Sequence, residues 1–588
     1  MLTSRVDATG NTRNYSYADQ DSDGVADELV SITDETGRTA TLTYTGGKVT
    51  QVTDFTGRST GYAFSGSLLS AVTEADPDGP GSLASPVTTY DFTGRVSAIQ
   101  QACGGTSTLQ ASATVGLPNV AVIGYDAAHM TPMVRRTDTV EQRTDEHGNL
   151  TRTARDQFGN VLQQVDALGN VTSYSRDLNG LVTRVVQPDP DGAGPLGQLV
   201  TQFTYDSRGN LTQRINPDAT QESWTYDPVF SQPTSHTDPL GHQTLWSISP
   251  TNGLVLSTTR VVGAVDSAAN HETNDVTTTY TYTTGIGGVP AGLVQTMTDA
   301  LGRVTSYAYT THGLLQTMTR AVGTSDQTTM SFEYDASDNL TAVIDGLGRR
   351  TQYAYDSLYR LTSLTQADPD GTGPKTSPVW HFAYDANGNR TSMTDPLGNV
   401  TQYLYDVRSR LSGTIQPDPD GAGPQTAPTS SSAYDCVGNL VGIADALGRT
   451  TTYSYDALNR MVHAIQPDPD GAGALTAPTT HTTYNAVSWV SSTTDPLGNT
   501  TSYVYDAMGR VLSVTQADPD GAGPLTAPVT SYTYDAAGQM PTSTDPLGRV
   551  TSYSYDDLGR VVSITKPDPD GAGPLTAPVT TYGYDQMG

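Results

Sequence analysis

Val550-Thr551-Ser552-Tyr553-Ser554-Tyr555-Asp556-Asp557-Leu558-Gly559-Arg560-Val561 is the stretch whose reading decides the fold. Its first six residues alternate. Val550, Ser552 and Ser554 project to one side and Thr551, Tyr553 and Tyr555 to the other, the period of two of a β-strand rich in Val, Thr and Tyr. Asp556 and Gly559 then take the first and fourth positions of a tight reversal. Asp bonds the backbone two residues on, and Gly accepts the positive φ that closes a type I turn in a three-residue hairpin connection. Arg560 and Val561 restart the chain as the returning strand.

The stretch recurs. Tyr-Asp returns at 50-residue spacing at Tyr355-Asp356, Tyr405-Asp406, Tyr455-Asp456, Tyr505-Asp506 and Tyr555-Asp556, with a second series at Tyr384-Asp385, Tyr434-Asp435, Tyr534-Asp535 and Tyr584-Asp585. A fixed period of this size means one supersecondary unit copied and stacked, each copy burying its apolar face on its neighbours. Further turns stand at Asp395-Pro396-Leu397-Gly398, Asp495-Pro496-Leu497-Gly498 and Asp545-Pro546-Leu547-Gly548, where Pro presets φ. Three copies put Tyr359, Ser409 and Asn459 in place of the turn glycine. Asn tolerates the left-handed conformation better than Tyr or Ser, so those turns are expected to be strained or of another type. Arg360, Arg410, Arg460, Arg510 and Arg560 follow in all five copies and read as solvated or turn-bracing guanidinium groups.

The motif Tyr-Asp-x-x-Gly-Arg-Leu/Val, well matched by residues 555–561, resembles the signature of the RHS or YD repeat family. Clear copies run through most of residues 301–588, with weaker ones at Asp34-Glu35-Thr36-Gly37-Arg38, Asp54-Phe55-Thr56-Gly57-Arg58, Asp91-Phe92-Thr93-Gly94-Arg95 and Asp206-Ser207-Arg208-Gly209-Asn210. The resemblance implies an all-β fold of tandem β-hairpin repeats forming a spiralling antiparallel sheet, part of the hollow wall of a YD-shell and open here. Such walls are known in bacterial RHS toxins, toxin-complex components and teneurins. Residues 1–100 read as divergent N-terminal repeats, 101–300 as degenerate repeats with irregular insertions, and 301–588 as the regular 50-residue array. The implied role is non-catalytic: a structural segment of a large secreted or cell-surface bacterial protein that encloses or presents its own C-terminal toxin or other cargo. Because the chain stops at Gly588 inside a Tyr-Asp turn, it reads as an excerpt of a longer exported protein. The alternative is a cell-surface adhesin whose outward Tyr and Trp rings stack on glycans.

A formal net charge of −30 argues against nucleic acid or an anionic membrane surface as partner, since both select basic patches. Hydrophobic residues make up only 35% of the chain, so no thick core is expected, and 32 tyrosines supply flat contacts instead. No apolar run reaches the length of a membrane span. Cys103 and Cys436 lie in non-equivalent copies, which disfavours a disulfide framework or a cysteine zinc site. There is no Gly-rich phosphate loop, His-Glu-x-x-His or Gly-x-Ser-x-Gly, and no enzyme activity or catalytic residue is assigned. His236 and His242 flank the turn Asp238-Pro239-Leu240-Gly241 without a further ligand at metal-site spacing.

The one metal-like motif is Asp19-Gln20-Asp21-Ser22-Asp23-Gly24-Val25-Ala26-Asp27-Glu28. Asp19, Asp21, Asp23 and Asp27 fall at calcium-loop positions 1, 3, 5 and 9, with Gly24 at 6 and the Val25 carbonyl at 7. Position 12 is Val30 instead of the usual bidentate acid. Two readings stand: Ca2+ held by these five residues, or a plain acidic turn. The Asp-Pro-Asp-Gly loops, from Asp76 to Gly79 through Asp568 to Gly571, read as stiff solvated extensions. With four strands per unit, successive loops lie roughly 19 Å apart, too far to share a cation.

Overall fold

The alternation at residues 550–555 is realised as strand Val550–Tyr555, in which Thr551, Tyr553 and Tyr555 are half-buried and Val550, Ser552 and Ser554 exposed. The computed structural model describes residues 2–6, 12–22, 24–34, 37–55, 57–74, 87–92, 96–100, 106–112, 139–156, 158–263, 275–371, 373, 375–385, 387–421, 423, 425–471, 473, 475–521, 523–571, 573 and 575–585. These residues form 46 strands, and among them there is no α-helix.

Every strand pairs antiparallel with the one before it and the one after it. Val529–Thr533 runs to Thr542–Thr544, then Val550–Tyr555, Val561–Thr565 and Val579–Thr581, so four strands fill each 50-residue unit. The terminal strands Ser4–Val6 and Val579–Thr581 have one neighbour each, which leaves the sheet open. At most of the Tyr-Asp tyrosines the register slips, Tyr534 being an exception. Ser554 faces Ser563 while Tyr555 faces Val561, and the same bulge recurs at Tyr355, Tyr405, Tyr455 and Tyr505. A bulge bends its strand and increases the local twist, so bulges recurring on the same edge curve the ribbon in one sense.

The wall is one layer thick. Among the described residues only Ala40, Leu199 and Ala342 are buried hydrophobics. The accessible surface is 34143 Å², against about 20,000 Å² for a compact protein of this mass. Packing is instead carried along one face, where rings meet aliphatic groups across strands: Tyr353 opposite Leu364, Leu364 opposite Trp380, Phe382 opposite Met393, Tyr503 opposite Val514 and Tyr553 opposite Ile564. The opposite face carries small residues, such as Ala354 opposite Ser363 and Ser554 opposite Ser563.

The turns without glycine keep the geometry of the others. Tyr359, Ser409 and Asn459 take φ of 62°, 59° and 59°, and their N–H groups donate to the carbonyls of Asp356, Asp406 and Asp456 at 2.9–3.0 Å, as Gly559 does to Asp556. Of the two expectations, strain holds and a change of turn type does not, because the hairpin register on either side fixes the loop length. One weaker copy is corrected. Asp91 sits within strand Val87–Phe92 opposite Ala98, not at the head of a turn, and residues 93–95 lie outside the described residues. Ala219 occupies the glycine position of another turn at φ 65°, where an L-residue costs about 1–2 kcal/mol. Replacing it should help: Ala219→Gly is expected to raise stability by about 1 kcal/mol, read as a higher denaturation midpoint, with no change or a loss as the contrary result.

Candidate functional site

The recurring chemistry sits in the hairpin tip. Asp556 N–H donates to the Arg560 carbonyl at 3.0 Å and Gly559 N–H to the Asp556 carbonyl at 2.8 Å, closing the turn. The Asp556 carboxylate then binds its own loop: Oδ1 accepts from the N–H groups of Leu558 and Arg560 at 3.0 and 2.9 Å, and Oδ2 from Arg560 Nε at 2.7 Å. Burial alone would raise the carboxyl's pKa. The Arg560 backbone and guanidinium bonds outweigh it and lower the pKa, as they do for Asp356 and Asp456 through Arg360 and Arg460. The Tyr555 hydroxyl reaches across the sheet to donate to the Met540 carbonyl at 2.9 Å. Burial raises the pKa of the equivalent hydroxyls of Tyr355, Tyr405, Tyr455 and Tyr505, which keeps them protonated donors.

The arginine does more than brace its own turn. Arg560 Nη1 donates to the carbonyl of Asp585 in the next Tyr-Asp turn at 2.9 Å, and its guanidinium lies 4.6 Å from the Tyr584 ring centroid. Arg360, Arg410, Arg460 and Arg510 make the same bond to Asp385, Asp435, Asn485 and Asp535 at 2.8–3.2 Å, over the rings of Tyr384, Tyr434, Tyr484 and Tyr534. Each guanidinium thus ties two neighbouring hairpins. These tyrosines are covered by cations and bound to backbone carbonyls, which leaves them unsuited to stacking on sugars. At Arg510 the site is tighter still, for the Trp489 ring comes within 2.8 Å of where a side chain on Gly509 would begin.

Because successive turns of a meander alternate between two edges, all the Tyr-Asp turns share one edge and the Asp-Pro-Leu-Gly and Asp-Pro-Asp-Gly loops the other. The coiled ribbon brings these edges together. Arg38 Nη1 donates to the Ser357 carbonyl, Arg58 Nη1 to Asn387 Oδ1 at 3.1 Å, Arg510 Nη2 to Asp218 Oδ2 at 3.4 Å, Arg260 Nη2 to the Leu558 carbonyl at 3.0 Å and Gly263 N–H to Asp557 Oδ2 at 2.7 Å. The partners lie 292 to 329 residues apart in sequence. One circuit takes 25 strands from Arg58 to Asn387 and 23 from Asp218 to Arg510. At about 4.8 Å per strand that is about 115 Å around and, for a round path, about 37 Å across. The Tyr-Asp edge of the second circuit therefore sits on the loop edge of the first.

Among the described residues the acidic loop gathers two of the expected carboxylates and one further residue. Asp19, Asp21 and Glu28 bring carboxylate oxygens within 4.8 Å of one another. Glu28 joins them because it opens strand Glu28–Thr33 opposite Ala18, with its carboxylate accepting from the Gln20 N–H at 2.9 Å. Asp27 and Val25 are exposed, and Asp23 lies outside the described residues. Asp19 also caps its own loop, accepting from Ser22 and Gly24 N–H groups at 2.7 and 3.0 Å. The other acidic loops behave likewise: Asp420 Oδ2 accepts from Gln425 N–H at 3.1 Å and Asp418 Oδ1 from Asp420 N–H at 3.2 Å. Residues 76–79 and Cys103 lie outside the described residues, and Cys436 is half-buried with its carbonyl bound by Arg408. His236 and His242 do not converge: the first meets Glu222 at 3.2 Å and stacks on Trp224, the second meets Asp238 at 2.8 Å.

The fold and the tip define a tandem Tyr-Asp hairpin wall. The chain belongs to the RHS/YD repeat family: the family profile described as RHS Repeat matches residues 155–191, 290–325, 334–372, 384–421, 434–472, 484–522 and 534–571. Solved structures share the architecture at low identity. The chain is similar to one in the crystal structure of TcdB2-TccC3-TEV at 15% identity and a TM-score of 0.58, with 96% of this chain and 30% of that chain covered. For TcdB2-TccC3-Cdc42 the identity is 13% and the TM-score 0.56, with 98% and 34% covered. For the Photorhabdus luminescens Tc holotoxin pore they are 14% and 0.50, with 96% and 31% covered. The chain thus spans about a third of the length of the solved chains it matches. Comparison with curated protein sequences returns no match. Among the described residues no helix is long and apolar enough to cross a membrane.

Arg510, 23% exposed and bonded to three partners, and Arg449, 63% exposed and bonded among the described residues to Asp445 alone, offer a direct comparison. Lysine cannot supply the fork. Arg510→Lys is expected to lower the local opening free energy, read by amide exchange around residues 506–510 and 535–539, by about 1–2 kcal/mol, and Arg449→Lys to stay within about 0.5 kcal/mol at its own turn. Equal effects would deny the cross-linking role.

Proposed function

We propose that this chain is a section of shell wall that shields a guest polypeptide within a secreted or surface-exposed assembly. The observation that carries the reading is a core-less sheet, one layer thick, whose second circuit rests on its first and so surrounds a space instead of filling it. A backbone path about 37 Å across leaves a bore of roughly 25–30 Å once inward side chains are subtracted. A folded 100-residue domain, with a radius of gyration of about 13 Å, forms a sphere about 34 Å across and does not fit. The guest this bore admits is therefore an unfolded chain or a very small domain. Similarly folded structures named TcdB2-TccC3-Cdc42 and TcdB2-TccC3-TEV pair one scaffold name with two different third components, which suits a wall holding an exchangeable guest. The guest's identity is not written in the wall, whose repeating Ser, Thr, Ala and Tyr faces offer area without a specific pocket chemistry.

At the acidic loop we propose no more than weak calcium binding by Asp19, Asp21 and Glu28, since three carboxylates fall short of the six to eight oxygens of a strong site.

The container reading is tested by fusing an unstructured protease-sensitive tail after Gly588 and timing its cleavage by thermolysin. Protection of about tenfold or more over the same tail on a solid β-protein is the expected result. Cleavage at the rate of the exposed tail would contradict it.

A further inference from the structure

One copy departs from the repeat on the small-residue face. Across the strands that flank each Asp-Pro-Asp-Gly loop of the regular array, Ser363 stands opposite His381, Gly413 opposite Ser431, Ser513 opposite Ser531 and Ser563 opposite Thr581. In the middle copy both positions are histidine, and His463 stands directly opposite His481. Ser454 and Thr494 face the pair from the next strands on either side, in the row that elsewhere holds Ser, Ala and Thr.

The two imidazoles lie face to face, with ring centroids 4.5 Å apart and planes 17° from parallel. Both are half-buried. Histidines elsewhere spend a ring nitrogen on a carboxylate: His236 on Glu222 at 3.2 Å, His242 on Asp238 at 2.8 Å and His312 on Asp338 at 2.8 Å. His463 does not. Its Nδ1 is buried and, among the described residues, has no hydrogen-bond partner, a costly state for a nitrogen that has given up water. Stacking on His481 fills the space beside that ring without satisfying the nitrogen.

We propose that His463 and His481 form a two-imidazole site for a divalent late transition-metal ion, taken most tightly as Cu2+. Directly opposed strand residues hold their Cβ atoms about 4.5–5.5 Å apart, and metal–imidazole bonds of about 2 Å need the two ligating nitrogens roughly 3 Å from each other. Turning the stacked rings about their side-chain bonds meets that need, and the backbone stays where it is. The facing Ser454 and Thr494 add no carboxylate, and a donor set of neutral nitrogens suits copper, nickel and zinc over calcium or magnesium, with Cu2+ first in affinity. Water completes the shell. The ion then clips strand Met461–Ile465 to strand Thr479–Tyr484 across the loop 466–478 and gives the His463 ring the partner it lacks. This inference stands whether or not the wall encloses a guest.

Copper(II) added to the whole chain near neutral pH tests it, with affinity read by calorimetry and the donor atoms by the nitrogen hyperfine pattern in the electron spin resonance of the bound ion. His463→Ser and His481→Ser each install the residue that the next copy carries at that place, Ser513 and Ser531, which spares the fold. His381→Ser, at an exposed histidine opposite Ser363, is the control. The wild type and the control are expected to bind Cu2+ through two nitrogens. Each of the other two variants is expected to bind at least about tenfold more weakly and to lose the two-nitrogen pattern. Acidification should release the ion, since protons compete for the ligating nitrogens. A wild type that binds Cu2+ no more tightly than His463→Ser overturns the proposal. So does a bound-ion spectrum without two nitrogens, or a loss on His381→Ser equal to that on His463→Ser, the outcome expected of scattered surface histidines.

Discussion

The structure depends on a guanidinium that belongs to two hairpins at once. In each 50-residue unit an arginine grips the aspartate of its own turn and donates to the backbone of the next Tyr-Asp turn, 25 residues on, while covering that turn's tyrosine. A single hairpin of this length is marginal in water. Linked to its neighbours by strand ladders, tyrosine hydroxyls and arginine forks, it becomes one term in a sum of nearest-neighbour contacts. That arrangement replaces a core, and it explains how a chain with three buried hydrophobics among its described residues holds an ordered sheet.

The same unit sets the shape. The bulge that recurs at the Tyr-Asp tyrosines bends the ribbon the same way, and 23 to 25 strands bring it round to meet its own earlier edge. Where the edges meet, charge and shape are matched: arginines of the loop edge find carbonyls and amides on the Tyr-Asp edge, and Asp218 finds Arg510. The strained residues fit this logic. Tyr359 keeps a left-handed conformation that glycine would take more cheaply, and its ring lies 5.7 Å from the Arg38 guanidinium across the seam.

Much of this was legible in the chain itself. The period of two in residues 550–555, the Asp-x-x-Gly punctuation and the 50-residue recurrence determine strands, turns and array, because each is local chemistry repeated. The partner of Arg560 beyond its own turn was not legible, since nothing in Asp556-Asp557-Leu558-Gly559-Arg560 names a carbonyl 25 residues away. The seam was hidden for a stronger reason: which residue returns to face Arg58 follows from a curvature accumulated over 25 strands, and a small error per strand shifts it by whole repeats. At the acidic loop, calcium-like spacing selected Asp27, but pairing of Glu28 with Ala18 decides which carboxylate turns inward.

Coiling into stacked circuits is the claim on which wall and seam both rest, and a distance measurement between spin labels at positions 58 and 387 addresses it most directly. The account places these positions in contact, with Arg58 Nη1 and Asn387 Oδ1 3.1 Å apart, so the labels should report a single short distance. A ribbon that does not close on itself would hold them roughly 120 Å apart, at 25 strand spacings of about 4.8 Å, and the absence of any short distance would contradict the account.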